Sequence, residues 1–207
     1  MISYQVVGHF SRGNRAERLA TQVGGDFHID DGSLGIWGNH MRALRRGVES
    51  GATHVCVLEE DAQPVEGFLE ALPRAVSARP DDLISLYVGS GRPFIETKIR
   101  PFLDTATSEG LRWLQAPHLF WGVGVVIPVA GVERVLEGTP NRAGVYYDNE
   151  LGRLWGKPVQ YVWPSLVDHE DGDSIMARQV GREQPERKAF RTGVASDYNT
   201  VSAPLVK

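Results

Sequence analysis

The run Thr53-His54-Val55-Cys56-Val57-Leu58-Glu59-Glu60-Asp61 predicts a buried strand that ends in three carboxylates. Its apolar part is continuous rather than alternating, which is typical of a strand covered by helices on both faces. We therefore expect this strand near the centre of a sheet. Because ligands of open α/β sheets gather beyond the carboxyl ends of the strands, we expect the three carboxylates at a ligand-binding edge.

The segments around this strand alternate between strand and helix patterns. Strands are predicted over residues 3–8, 27–29, 83–88, 122–127 and 159–163, and helices over 16–23, 36–51, 65–78 and 132–137. Strands separated by helices predict an α/β fold, a single domain with a mixed, mostly parallel sheet flanked by helices. From residue 177 onward basic residues outnumber acidic ones and apolar periodicity fades. We therefore expect a domain over 1–176 and a basic arm or tail over 177–207.

Composition limits the classes of function. The 26 acidic and 22 basic residues give a formal net charge of -4, so any attraction to nucleic acid or anionic membrane must be local. Cys56 is the one cysteine, which excludes a disulfide within the chain. No run reaches the roughly 18 apolar residues of a membrane span, and the first residues lack the pattern of a leader peptide. We expect a cytoplasmic location, which would be the host cytoplasm if the chain is viral.

Three adjacent carboxylates repel one another, and a bound cation relieves that repulsion. Hard divalent ions such as Mg²⁺ or Mn²⁺ prefer oxygen ligands and keep positions for water and substrate phosphates. Glu59-Glu60-Asp61 is therefore a candidate metal and nucleotide edge. The alternative interpretation is a solvated acidic turn.

Three motifs in order along the chain resemble glycosyltransferase family 25, the lipopolysaccharide and collagen galactosyltransferase relatives. Residues 58–68, LEEDAQPVEGF, are similar to the family's acidic DxD-type segment; residues 38–44, GNHMRAL, to the helix that precedes it; and residues 120–128, FWGVGVVIP, to the glycine-containing strand that supports donor sugar and acceptor. The resemblance covers roughly residues 1–175 and suggests a short, phage-type member. It implies a GT-A, Rossmann-like fold.

The resemblance also implies roles for the acidic triplet. Asp61 would bind Mn²⁺ or Mg²⁺, Glu59 would contact the donor ribose or a metal-bound water, and Glu60 would do either. The family has aspartate at two positions where this chain has glutamate. A late segment, residues 164–174, resembles the part that closes many GT-A donor sites, and there His169 would complete the metal shell or contact the diphosphate. His169 as a structural or surface residue is the alternative.

Two carboxylates are candidates for the general base. Asp148 and Glu150 precede a short helical pattern, where inverting GT-A enzymes place the group that takes the proton of the acceptor hydroxyl. Asp148 is the first choice. The alternative is that Asp148 caps the helix and Glu150 is a favourable charge in its first turn.

Further residues are expected to contact the nucleotide-sugar donor. The group after the first strand would meet the base and phosphates, the motif helix contributes an asparagine, and the glycine strand contributes an indole and a glycine. These candidates are Gly8, His9, Arg12, Arg15, Asn39, Trp121 and Gly122. His40 lies on the apolar face of its helix and is expected to pack or to support a ligand.

These observations predict a metal-dependent transferase that moves a hexose from a nucleoside diphosphate sugar, by resemblance a UDP-sugar with inversion, to a hydroxyl acceptor. The acceptor is expected to be a saccharide or a lipid-linked saccharide, with a protein also possible and a hydroxymethylated base of modified viral DNA as a minority option that the basic arm favours. Two other classes stay open. One is a nucleotidyltransferase-like enzyme, which would need a glycine- and lysine-rich phosphate loop that residues 9–15 lack. The other is a carbohydrate-binding protein without turnover.

Overall fold

The computed structural model describes residues 1–138, 147–170 and 186–206. Predictions that fall on residues 139–146 and 171–185, including much of the basic arm and the end of the late segment, lie outside the described residues. The described chain forms an α/β domain with a large mixed sheet flanked by helices, as predicted from the alternation of patterns.

The first half of the chain alternates strand and helix. Its elements are β1 (Ile2–His9), α1 (Arg15–Val23), β2 (Asp26–Asp30), α2 (Gly35–Glu49), β3 (His54–Glu59), β4 (Ala62–Pro64), α3 (Phe68–Ala78) and β5 (Ile84–Ser85). A short 3-10 turn, Phe10–Arg12, joins β1 to α1.

The second half of the chain contains predicted elements together with others that the sequence patterns did not predict. It comprises α4 (Pro93–Ser108), β6 (Trp113–Ala116), β7 (Gly124–Pro128), α5 (Val129–Glu137), α6 (Tyr147–Trp155), β8 (Val159–Val162), β9 (Val167–His169) and β10 (Ser202–Pro204). The loop expected to run through residue 93 gives way to α4, because Pro93 stands at the first helical position, where its fixed φ suits a helix start. Of the strand expected over 83–88, Ile84–Ser85 forms the regular strand β5, and Leu86 adds a backbone hydrogen bond to the Gly124 carbonyl oxygen.

The sheet order is β10-β6-β8-β5-β7-β3-β1-β2. The strand β3 pairs in parallel with β1 and antiparallel with β7, so it is an inner strand, and its four central residues are fully buried. Helix α2 lies close against it: a side chain on Gly47 would collide with Val55. A separate two-stranded sheet, β4 with β9, brings residues 62–64 beside 167–169.

The described part of the predicted arm packs on the domain. Strand β10 pairs in parallel with β6, and Leu205 is fully buried. Arg79 donates hydrogen bonds to the Thr200 carbonyl oxygen and to Ser202 Oγ, which ties α3 to the start of this strand. Among the described residues no helix is long and apolar enough to cross a membrane.

Candidate active site at the carboxyl end of the central strand

The end of β3 and the turn after β1 lie side by side. The parallel register pairs Val7 with Glu59, so the turn that follows β1 leaves the sheet next to the acidic triplet. On the other side β7 runs antiparallel, and the Glu59 amide donates to the Val123 carbonyl oxygen at 2.9 Å. Segments far apart in sequence therefore surround the triplet.

Arg12 binds two of the three carboxylates. Its Nη1 lies 2.6 Å from Asp61 Oδ2 and its Nε lies 3.3 Å from Glu60 Oε1. All three side chains are nearly buried, with 13% or less exposed. Burial lowers the pKa of Arg12, but the charges of Asp61 and Glu60 outweigh it and raise that pKa. The predicted donor contact Arg12 is thus an internal counter-ion in this structure.

Asp61 and His169 meet across the small sheet. Pairing of Ala62 with His169, and a 2.7 Å hydrogen bond from the Glu170 amide to the Asp61 carbonyl oxygen, place the histidine beside the carboxylate. His169 Nε2 lies 3.3 Å from Asp61 Oδ2, although the direction of approach is not that of a hydrogen bond. Burial opposes ionisation of Asp61, yet His169 and Arg12 together hold its pKa well below its usual range.

The pair offers atoms that suit a cation. Asp61 Oδ1 and both ring nitrogens of His169 are buried without an aligned hydrogen-bond partner. A carboxylate oxygen and an imidazole nitrogen are both common metal ligands, and each unpaired atom carries a desolvation cost that a ligand would relieve. Within residues 1–138, 147–170 and 186–206 no three His, Cys, Asp or Glu side chains form a ligand set. Asp61 and His169 are therefore the described residues that could hold a cation, and its remaining ligands would be waters and substrate oxygens.

Glu60 and Gly8 are held together by packing. Glu60 Oε2 accepts a hydrogen bond from the His9 amide at 3.0 Å. A Cβ on Gly8 would lie 2.5 Å from that same oxygen and 2.8 Å from Ala16 Cβ, so glycine is needed for the close approach. Burial raises the pKa of Glu60. Because Gly8 has no side chain, the Glu60 carboxylate can lie against the backbone of β1.

His9 and Arg15 lie at the outer side of this edge. The His9 ring contacts Ser11 Oγ at 2.8 Å and the Phe10 ring at a centroid distance of 4.5 Å. Arg15 Nη2 lies 3.3 Å from Glu170 Oε1, the residue after the predicted metal ligand His169. Both side chains are partly exposed and remain candidates for a donor contact.

Glu59 faces a group of side chains from α2, α6 and the segment before β7. A Cβ on Gly122 would lie 3.2 Å from Glu59 Oε1 and 3.1 Å from Tyr147 Cδ1, so this glycine gives the carboxylate access to the space beside the tyrosine. His40 stacks on Tyr147 at 3.6 Å, and its Nε2 lies 3.9 Å from Glu59 Oε1. Burial of the carboxyl group raises the pKa of Glu59 most, and the charge of Asp61 raises it further. The Glu59 side chain as a whole is 30% exposed.

His40 is neutral and supports this group. Burial lowers the pKa of His40 to about 4. Its Nδ1 lies 2.8 Å from the Ile36 carbonyl oxygen, an acceptor only, so Nδ1 carries the proton and the lone pair of Nε2 faces Glu59. The prediction that His40 packs or supports a ligand agrees with this position.

The two candidate bases lie on different sides of α6. At 3.6 residues per turn, positions two apart point about 200° from each other. Asp148 accepts a 2.5 Å hydrogen bond from Arg92 Nη2, and its charge acts on Glu59. Glu150 instead binds Arg153 on its own helix, at 2.8 Å. The structure therefore brings Asp148, the first choice, to the acidic edge and ties Glu150 to a neighbour one turn away.

Asn39 and Trp121, both predicted to contact the donor, are nearly buried by other parts of the protein. Asn39 Nδ2 donates to the carbonyl oxygens of Gly8 and His28, at 3.1 and 3.0 Å, while its Oδ1 accepts from Arg42. The amide thereby joins the backbones of β1 and β2. Trp121 is 4% exposed and packs edge-on against Tyr87. Both side chains are only 4% exposed in this structure, and a direct contact of either with the donor stays a prediction.

The sequence patterns missed three contributors to the site. Arg92 holds Asp148, Tyr147 lies against Gly122 and His40, and Arg187 brings a positive charge that lowers the pKa of Glu59. Burial raises the Glu59 pKa more than Arg187 lowers it. Tyr147 directly precedes the predicted base, so its position was a usable signal. Arg92 and Arg187 lie in segments without periodicity, where nothing local marks them.

Comparisons with known proteins show the fold. Neither the family models nor the curated proteins searched contain a match. Among solved structures, the crystal structure of A197 from STIV is similar, with a TM-score of 0.55 and 11% sequence identity over 97% of this chain and 100% of that one. A likeness at this identity supports the α/β fold of the described chain and carries no statement about its chemistry.

Proposed function

We propose that this chain is a metal-dependent glycosyltransferase that moves a hexose from a nucleoside diphosphate sugar, a UDP-sugar by resemblance, to a hydroxyl acceptor. One observation carries the proposal: a cation-suited pair, Asp61 with His169, and a separate carboxylate held by an arginine, Asp148 with Arg92, both adjoin Glu59 at the end of the central strand. The resemblance to glycosyltransferase family 25, the use of Mn²⁺ or Mg²⁺, the inverting outcome and the cytoplasmic location are parts of this proposal.

The donor half of the site is the edge around Asp61. Asp61 Oδ1 and His169 would hold the cation, which when bound supplies positive charge to the departing diphosphate. The guanidinium of Arg12 already brings a positive charge to this edge, where it contacts both Asp61 and Glu60. Glu59 is partly exposed beside Gly122 and is available to a ribose hydroxyl or a water.

The acceptor half is the edge around Asp148. Inverting transfer needs a base that takes the proton of the acceptor hydroxyl while its oxygen forms a bond to the anomeric carbon and the bond from that carbon to the diphosphate oxygen breaks. The electron pair of the broken bond leaves with the diphosphate. Burial raises the pKa of Asp148 and the charge of Arg92 offsets only part of that rise, so this carboxylate is more basic than an exposed aspartate.

Two observations favour this function over the other two classes. The turn from His9 to Gly13 contains Arg12 but no lysine, and its arginine faces carboxylates, which differs from a nucleotidyltransferase phosphate loop. A carbohydrate-binding protein without turnover has no need of a nearly buried Asp148 carboxylate held by Arg92. Both classes remain outcomes of the test below.

The test uses a panel of nucleotide sugars with and without Mn²⁺. A ligand that binds only the folded state raises the apparent melting temperature, by an amount set by its concentration relative to Kd. We expect a UDP-sugar to stabilise the protein only when Mn²⁺ is present, and slow release of UDP from that sugar. Absence of both binding and hydrolysis across the panel would disprove the proposal, while binding without hydrolysis or transfer would support the non-catalytic class.

A further inference from the structure

Residues 187–191, which we call the returning segment, are held beside the candidate metal pair of Asp61 and His169 by hydrogen bonds. The Ser90 amide donates to the Lys188 carbonyl oxygen at 2.8 Å. The Ala189 amide donates at 2.7 Å to Oδ1 of residue 168, directly before His169 in the chain. The backbone on the C-terminal side of residue 187 is therefore fixed next to the pair.

The Arg187 side chain packs against the loop that precedes α4. Its Cγ lies so near Gly91 that a Cβ there would come within 2.4 Å of it. Gly91 has a φ of +93°, which glycine adopts without strain. The aliphatic stem of the arginine is thus held against the loop, while the residue as a whole is partly exposed.

The charge of Arg187 acts on the acidic edge. It lowers the pKa of Glu59 more than the charge of Arg12 does, although Arg12 contacts the other two carboxylates of the triplet. Because electrostatic interactions weaken with distance and with intervening solvent, this order agrees with the position that the packing gives to Arg187.

Arg187 differs from the other arginines at this edge in its partners. Each of the others forms an ion pair at 3.3 Å or less: Arg12 with Asp61, Arg15 with Glu170 and Arg92 with Asp148. Within the part of the chain that the structure describes, the Arg187 guanidinium has no ion-pair partner and donates no hydrogen bond. Even Glu59, whose pKa it lowers, does not lie within ion-pair distance. The guanidinium is therefore available to an anionic ligand.

The chemistry of this edge favours a ligand with two linked phosphate groups. A guanidinium binds phosphate through parallel N–H groups that match its oxygens. A divalent cation at Asp61 and His169 would also bind phosphate oxygens. One phosphate satisfies one such positive group, whereas a diphosphate has oxygens for both.

We propose that Arg187 binds the diphosphate of the nucleotide-sugar donor, together with the cation held by Asp61 and His169. The inference rests on the proposed transfer function for the identity of the donor. When the bond from the anomeric carbon to the diphosphate oxygen breaks, the electron pair stays on that oxygen, and the guanidinium would stabilise the negative charge of the departing diphosphate.

The test compares Arg187→Gln with the wild type by isothermal titration in the presence of Mn²⁺, with UDP and with inorganic pyrophosphate as ligands. Glutamine keeps the Cβ and Cγ that pack on Gly91 and removes the charge. We expect the affinity for both ligands to fall about 10- to 100-fold, as for the loss of a hydrogen bond to a charged group. Arg187→Lys should recover part of the loss, because an ammonium keeps the charge without the planar fork.

Lys188→Gln is the matched control. It removes the same charge from the next residue, which is exposed, and consecutive side chains of an extended segment point to opposite sides. Both affinities should stay at the wild-type value. Electron paramagnetic resonance of Mn²⁺ without phosphate ligands gives the affinity for the metal alone, which Arg187→Gln should not lower, since it removes a positive charge from the surroundings of a cation.

Two results would overturn the inference. One is that Arg187→Gln binds UDP and pyrophosphate as tightly as Lys188→Gln does. The other is a parallel fall in the affinity for Mn²⁺ alone, because Arg187 would then support the metal pair rather than contact phosphate.

The proposed function fails separately, by the absence of Mn²⁺-dependent UDP-sugar binding and hydrolysis in the wild type. Pyrophosphate binding that depends on Arg187 would in that case still show the diphosphate contact. Conversely, a wild type that hydrolyses UDP-sugar, with donor affinity unchanged in Arg187→Gln, would keep the transfer function and remove Arg187 from the donor site.

Discussion

Nη1 of Arg12 lies 2.6 Å from Oδ2 of Asp61, the same oxygen that His169 Nε2 approaches to 3.3 Å. Arg12 and His169 thus approach the same carboxylate oxygen, while Oδ1 has no aligned partner. This arrangement keeps Asp61 ionised in a nearly buried position and leaves one oxygen for a ligand. We therefore expect a change at Asp61 to affect both stability and donor binding.

Asp61→Asn is expected to abolish Mn²⁺-dependent binding of the UDP-sugar. The amide keeps the shape of the side chain but removes the charge that a cation and Arg12 require. Removal of one partner of a buried ion pair costs about 3–5 kcal/mol, so the melting temperature without ligand should fall as well. Isothermal titration with and without Mn²⁺ at a temperature where the variant is folded measures the binding; retained metal-dependent affinity would remove Asp61 from the ligand set.

Asp148→Asn is expected to spare donor binding and to stop transfer. Asp148 contacts Arg92 rather than Asp61 or His169, so the donor half of the site should keep its geometry. Loss of a general base reduces kcat by about 10²–10⁴-fold. Glu150→Gln is the matched control, because Glu150 pairs with Arg153 and points away; an equal loss of activity in both variants would contradict the assignment of the base.

Arg92→Gln is expected to shift the pH dependence of transfer. Burial raises the pKa of Asp148 and Arg92 opposes that rise, so loss of the arginine raises the pKa further. The base acts when ionised, and the acidic limb of kcat/KM should therefore move to higher pH, with Arg92→Lys recovering part of the shift. Glu59, Tyr147 and Tyr161 also face this carboxylate, and their presence in every variant keeps the comparison matched.

A ¹³C NMR titration of the Asp148 carboxyl in the ligand-free protein gives the same shift independently of activity. An unchanged carboxyl pKa in Arg92→Gln would show that the charge of Arg92 does not lower the pKa of Asp148.

Gly8→Ala is expected to destabilise the fold and weaken donor binding. The added Cβ would meet Glu60 Oε2 at 2.5 Å and Ala16 Cβ at 2.8 Å, and overpacking of this kind costs about 1–3 kcal/mol. Urea denaturation measures the change in free energy of unfolding. Gly38→Ala serves as the control, since its Cβ meets only the Leu34 side chain, at 3.1 Å or more, and alanine favours a helix; equal stability of both variants would contradict the close approach at Gly8.

Leu205→Ala tests whether the C-terminal residues are part of the folded domain. Leu205 is fully buried and follows β10, so replacing its side chain by that of alanine should lower the free energy of unfolding by about 2–5 kcal/mol. Val201→Ala, at a position 58% exposed, should change it little. Urea denaturation compares the two, and a Leu205 variant as stable as the wild type would show that this end of the chain is a detached tail in solution.

The part of the site that could be predicted lies within one stretch of chain. The run Val55–Leu58 is apolar throughout and Glu59–Asp61 follows it, so the burial of the strand and the position of the carboxylates at its end are local properties of the sequence. The helix-strand alternation predicted the α/β class for the same reason. The resemblance to a family suggested Asp148 and His169, and the structure places both at this edge.

The pairings across the site could not be predicted. Arg92 and Asp148 are 56 residues apart, and the segment before α4 has no periodic pattern that marks its arginine. Trp121 and Asn39 carry side chains that suit a sugar site, but their burial depends on the neighbouring elements that cover them. The strands β6, β9 and β10 likewise depend on partners elsewhere in the chain.

Glu59, Glu60 and Asp61 owe their place at the end of a buried strand to the continuous apolar run that precedes them, and this much was already present in the sequence. Their charges acquire distinct partners only through tertiary structure: Arg12 from the turn after β1, His169 from the small sheet and Arg187 from the returning segment. The reason is physical. Electrostatic interactions depend on distance and burial in three dimensions, and strand pairing and helix packing set both.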